Sequence, residues 1–172
     1  MSGADRVPLE HKATAPRSIG CFVLTISDSK TEATDTSGRL IRELLTGAGH
    51  TVVGHAIVRD EPTQVTGLIR KGCADAAVEA FVLTGGTGVT SRDSTYEAVE
   101  VLLDKRLTGF GELFRMLSYE QIGSAAIMSR ACAGLVAGRI VISLPGSEAA
   151  VRLAMERLVI PELGHLVQQA SR

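Results

Sequence analysis

The chain has 172 residues, 45% hydrophobic and 22% charged, with a formal net charge of −1. That length suits one domain with a sizeable core, and the near-neutral charge excludes the global basic field that draws nucleic acid. Aromatic residues are only 3% with no Trp, which excludes stacking platforms for single-stranded nucleic acid, and no run nears the ~20 apolar residues of a membrane helix.

Residues 1–17 are polar, carry two prolines and show no period, so they read as a flexible arm. They lack the apolar stretch of a signal peptide, and the protein is expected to be cytoplasmic. Residues 18–172 read as a single α/β domain. A near-continuous apolar strand spans residues 19–26 and ends at Ser27, Asp28 and Ser29, which favour turns. A helix is predicted over residues 38–48, with Leu40, Ile41, Leu44 and Leu45 on one face. A second strand, residues 51–58, runs into Arg59-Asp60-Glu61-Pro62, where proline marks a helix start. That helix closes at Gly72.

The third strand, residues 80–84, opens into Gly85, Gly86, Thr87 and Gly88, and a helix follows over residues 95–104. Residues 107–111 read as a turn-rich link, with helical patterns at 112–119 and 122–132. Gly134 and Gly138 suggest a hairpin or short strand pair. Residues 139–144 (RIVISL) form another strong strand, followed by helices over 148–158 and 162–170, the second started by Pro161. Strands alternating with helices predict a three-layer α/β/α fold around a mostly parallel sheet. The three cysteines are odd in number, far apart and set among apolar residues, as expected of buried hydrophobes in a reducing compartment.

In a parallel sheet the carboxyl ends of the strands share one edge, so four polar loops should converge there. They hold Ser27 and Asp28; Asp60; Thr84 to Asp93 with its glycines; and Ser143, Pro145, Gly146 and Ser147. The TGGTG run can place backbone amides and a helix N-terminus around an anion. It has neither the Gly-Lys-Ser/Thr of a P-loop nor the third glycine of a dinucleotide fingerprint. A structural tight turn is the alternative. Asp60 and Asp93 each follow a strand closely, so both are expected at one crevice, where two carboxylates beside a phosphate cradle suit Mg²⁺. A helix cap for Asp60 and an interaction with Arg92 for Asp93 are the competing roles. The four histidines lack metal-ligand spacing, which disfavours zinc. No serine lies in a nucleophile elbow.

Read together, TGGTGVTSRDSTYEA, DKRLTGFGELFRMLSYEQIGSAAIMSRA and SLPGSEAAV resemble the MoaB/Mog family of molybdenum cofactor biosynthesis proteins, nearest its MoaB branch. They are also similar to the first domain of gephyrin. The resemblance implies molybdopterin binding and assembly as a homo-oligomer, a trimer or hexamer. In active members it implies transfer of adenylate from MgATP to the pterin's terminal phosphate, with release of pyrophosphate. It places functional aspartates at Asp60 and Asp93. Ligand loops fall at Thr84, Gly85, Gly86, Thr87 and Gly88 and at Ser143, Pro145, Gly146 and Ser147, with Ser27 and Asp28 on the same edge. ATP and Mg²⁺ are expected; zinc, haem and flavin are not. A non-catalytic pterin carrier and an oligomerisation scaffold are the alternative functions. Residues 107–133, including Phe114, are the expected subunit contact.

Overall fold

Four parallel strands make one side of a six-stranded sheet in a computed structural model that describes residues 18–171; the arm expected over residues 1–17 lies outside them. Strands β1 (Gly20–Ile26), β2 (Thr51–Val58), β3 (Ala80–Thr84) and β6 (Arg139–Leu144) are parallel in the order β2-β1-β3-β6. Two further strands, β5 (Cys132–Val136) and β4 (Lys105–Arg106), extend the β6 edge, each antiparallel to its neighbour. The register pairs Ile26 with Val58, Thr25 with Thr84 and Thr84 with Leu144. The four parallel strands therefore end level, and the loops that follow them emerge together.

Side-chain alternation sorts the core into two layers. Cys21 and Val23 of β1 face helices α1 (Thr36–Gly47), α4 (Thr108–Ile122), α5 (Glu148–Ala154) and α6 (Ile160–Ala170). Leu24 and Ile26 face α2 (Pro62–Cys73) and α3 (Thr95–Leu102). The expected three-layer fold is the one observed. Phe81 and Phe114 are among its largest fully buried side chains, and burying such a group stabilises by roughly 1.5–3 kcal/mol. Burial also pushes the Cys21 and Cys132 thiols up to about 12, so neither is a thiolate at neutral pH.

The chain departs from the sequence expectation in four places, three of them at the antiparallel edge. The predicted turn-rich link at 107–111 is helical from Thr108, and within it Gly111 packs so closely on Ala131 that a Cβ would stand 2.8 Å from the Ala131 carbonyl oxygen. The predicted helix over 122–132 does not form. Gly123 ends α4 at φ 60°, a 3₁₀ turn covers Gly123–Met128, and the chain then extends into β5. The helix predicted to reach residue 104 ends at Leu102, since the Asp104 and Leu107 amides donate to Leu135 and Ala133. The two C-terminal helices are joined by one wide π turn, Met155–Val159, which absorbs Pro161 without a break. The hairpin expected near Gly138 is present, with Ala137 and Gly138 both at positive φ as a tight two-residue turn requires.

Phe114, expected on a subunit contact, lies wholly inside the core instead. Leu113, Met116, Tyr119, Ile122, Ile127 and Met128 are the exposed apolar side chains of that region. No helix among the described residues is long and apolar enough to cross a membrane.

Candidate functional site

The TGGTG loop turns sharply because its first two glycines adopt φ +102° and +64°, a region most side chains avoid. A Cβ on Gly85 would stand 2.1 Å from the Ile26 carbonyl oxygen, and one on Gly86 would meet Thr95 Oγ1 and Asp60 Oδ2 at 2.5 and 2.6 Å. Glycine is therefore required by both conformation and space. The loop then closes on the next helix: Gly86 O accepts from the Thr95 and Tyr96 amides at 3.1 and 3.3 Å.

The second loop docks on the first. Thr84 Oγ1 donates to Pro145 O at 2.9 Å, and Ser37 Oγ donates to Gly146 O at 2.8 Å. Ser147 caps α5 by accepting from the Ala150 amide at 3.3 Å. Between the two loops lies a cavity of about 380 Å³. Gly85, Gly86, Thr87 and Gly88 form one wall, and Pro145, Gly146 and Ser147 another. Ser118 and Gln121 of α4 and Ser129 complete its polar lining. These α4 and 129 positions were not singled out from the sequence, since only the fold brings them to the sheet edge.

Asp93 reaches this cavity and Asp60 does not line it. The Thr90 hydroxyl donates to Asp93 at 2.5 Å and is the largest influence holding its carboxyl below the ordinary value; burial opposes it, while the Thr90 and Gly88 amides and the charge of Arg130 lower it further. The group is an anion at neutral pH. Asp60 sits under the loop at 6% exposure. It accepts from Ser94 Oγ at 3.0 Å, Thr95 Oγ1 at 2.9 Å and the Ser94 amide at 3.3 Å. The expectation that both aspartates face one crevice is thus corrected. Asp60 is a buried cap, and the helix whose start it holds is α3, not its own.

Arg92 is not the partner of Asp93 that adjacency suggested. Its guanidinium binds Asp28 at 2.7 and 2.9 Å and Glu61 at 3.0 Å, tying three loops together at the rim. The Arg92 hydrogen bond is the main reason the Asp28 carboxyl is held below its usual range. Ser27 accepts from the Ser29 and Lys30 amides. With Thr84, Gly85 and Gly146 it lines a smaller pocket of about 120 Å³ behind the glycine wall. Ser143, expected as a loop residue, is fully buried within β6 beside Leu83 and Cys132 and lines neither pocket.

Arg130 is the principal contact the sequence reading missed. It donates from Nε to Thr87 O at 2.9 Å and from Nη2 to Gly88 O, pairs with Glu97, and lies 4.8 Å from the Tyr96 ring centre. Only its place in the MSRA run hinted at a role.

The arrangement suits an anionic ligand held by backbone amides, with one ionised carboxylate at hand. Among the described residues, no three His, Cys, Asp or Glu side chains group to hold a metal alone. Mg²⁺ commonly takes one or two carboxylates and completes its shell with substrate phosphates and water. Asp93 fits that demand because it lines the cavity, whereas Asp60 is buried beneath the loop and does not line it.

The family profile described as a probable molybdopterin binding domain matches residues 22–165. The chain belongs to the MoaB/Mog family of molybdenum cofactor biosynthesis proteins. Over 161 residues it is 50% identical to molybdenum cofactor biosynthesis protein B of Halalkalibacterium halodurans, covering 93% of this chain and 95% of that protein. A crystal structure of a molybdenum cofactor biosynthesis protein B superposes with a TM-score of 0.89 at 49% identity, covering 92% and 99% of the two chains. MoaB of Pyrococcus furiosus, a tungsten cofactor synthesizing protein, superposes at 0.82 with 37% identity over 92% and 100%.

Proposed function

We propose that this chain works in molybdenum cofactor biosynthesis, binding molybdopterin between the two glycine loops and adenylylating it with MgATP. The observation that carries the proposal is the cavity of about 380 Å³ that both loops wall, with the Asp93 carboxylate on its side. The pterin's terminal phosphate lies on the loop amides, and its oxygen attacks the α-phosphorus of ATP. The bond from that phosphorus to the β-bridging oxygen breaks, and pyrophosphate leaves. Such a transfer needs position and charge neutralisation rather than a covalent nucleophile. Asp93 is the residue to hold Mg²⁺, which supplies neutralisation of the nucleotide phosphates. Asp60 acts beneath, fixing the start of α3 on which the loop closes. Family membership further supports a homo-oligomer, with the exposed apolar side chains of α4 and the following turn at its contact.

Incubation with molybdopterin and MgATP is expected to release pyrophosphate, and Asp93→Ala to abolish release while keeping pterin affinity. Tight pterin binding without turnover in the unaltered protein would remove the enzymatic claim. One observation favours the carrier reading in that event: no Lys or Arg is among the described residues lining the cavity, so a triphosphate finds no fixed cation there. A carrier predicts pterin affinity indifferent to MgATP.

A further inference from the structure

We infer that Arg130 is a positioning residue that turns the amides of the glycine-rich loop toward the phosphate site. This rests on the molybdopterin reading only for the identity of the ligand. In a trans peptide the carbonyl of one residue and the amide of the next point in opposite directions, and no cis bond occurs among the described residues. Three successive carbonyls of the loop are claimed from the side of α3. Gly86 O takes the Thr95 and Tyr96 amides. Thr87 O and Gly88 O both take the Arg130 guanidinium. The amides that follow, those of Thr87, Gly88 and Val89, therefore point the other way, away from α3 and Arg130. The Gly88 amide reaches the Asp93 carboxylate. The Thr87 and Val89 amides have no protein acceptor among the described residues, which leaves them for an anion.

The guanidinium is itself fixed. Glu97 pairs with it and Tyr96 stacks against it, so both neighbours come from the first turns of the helix that the loop opens into. A planar fork with five donors spans two carbonyls and a carboxylate at once; an ammonium cannot hold the same set in one plane. The positive charge stays behind the loop and outside the cavity lining. It thus acts by orienting donors, which is how preorganised amides gain strength over water.

The test compares affinity for molybdopterin with affinity for its dephosphorylated form. Arg130→Gln is expected to weaken molybdopterin binding about tenfold, the order of one or two hydrogen bonds lost, while changing the dephosphorylated form less than about twofold. Arg130→Lys should fall between. A folded Arg130→Gln that keeps the phosphate preference, or loses both forms equally, overturns the inference. If that variant does not fold, Glu97→Gln and Tyr96→Leu loosen the guanidinium from its far side. Each should reduce the phosphate preference by about twofold to fourfold, and no change in either overturns it. Should the unaltered protein bind neither pterin, the ligand reading fails alone, and inorganic pyrophosphate becomes the probe. Amide shifts at Thr87, Gly88 and Val89 that are present in the unaltered protein and lost in Arg130→Gln sustain the inference. Their absence from the unaltered protein overturns it.

Discussion

The two loops that wall the cavity are held by opposite means. The first, at 85–88, owes its path to what is missing: side chains at Gly85 and Gly86 would collide with backbone and with buried polar groups. The second, at 145–147, has ordinary backbone angles and is held from outside by the hydroxyls of Thr84 and Ser37 on its carbonyls. The turn of the first is required of its own glycines, while the second is held by residues 61 and 109 positions away along the chain. The first should therefore break on any added atom, and the second should weaken only when its supports are removed.

Gly85→Ala should show the largest effect, a loss on the order of 3 kcal/mol, since it combines a disfavoured φ with a backbone overlap. Denaturant titration reads it, and a loss below about 1 kcal/mol would show that the loop relaxes freely. Asp60→Ala comes next at about 2 kcal/mol, because it strands the Ser94 and Thr95 donors in a buried place. Asp60→Asn, keeping one acceptor, should recover part of that in the same titration.

Ser37→Ala tests the second loop and should cost about 1 kcal/mol, the usual worth of a neutral hydrogen bond. Paired with Thr84→Val it should depart from additivity, since both hydroxyls hold neighbouring carbonyls. Acid gives a smaller effect on the first loop. The Asp93 carboxyl is depressed in the folded chain, so its stabilisation is complete above the unfolded value near ~3.9. It is lost as the pH falls through the folded value. Asp93→Asn should flatten that part of the acid limb in unfolding midpoints measured against pH. Gly146→Ala should do least, below about 0.5 kcal/mol, because the added Cβ meets only Gly85, its Cα at 3.4 Å and its nitrogen at 3.9 Å. A large loss there would erase the contrast between the loops.

What was legible in the sequence follows the same division. The runs that form β1, β3 and β6 are nearly continuous in apolar residues, because both faces of a central parallel strand are covered. The TGGTG loop could be read as a site because its conformation is a property of its own glycines. The strand β5 is expected only as part of a hairpin near Gly134 and Gly138, with the helix expected over 122–132 overrunning its first residue. Its extended form depends on pairing with β6 and on Gly134, where a Cβ would stand 2.2 Å from the Lys105 carbonyl oxygen. Asp60 was rightly drawn to the site edge, yet the helix it caps starts 35 residues later, so spacing alone suggested a cavity carboxylate. The contact of Arg130 with Thr87 spans 43 residues and leaves no periodic trace. Ser143 was misplaced because a strand residue one step from a loop faces whichever layer alternation dictates.

The near-touch of Gly85 and Gly146 has a mechanical meaning. Both residues border the large cavity and the small pocket behind it, so at that point the partition is bare main chain. A partition without side chains has no rotamers with which to absorb a change. It shifts as linked peptide planes, with only two soft torsions per residue to give. Any displacement of that wall out of one compartment is, by the same distance, a displacement into the other.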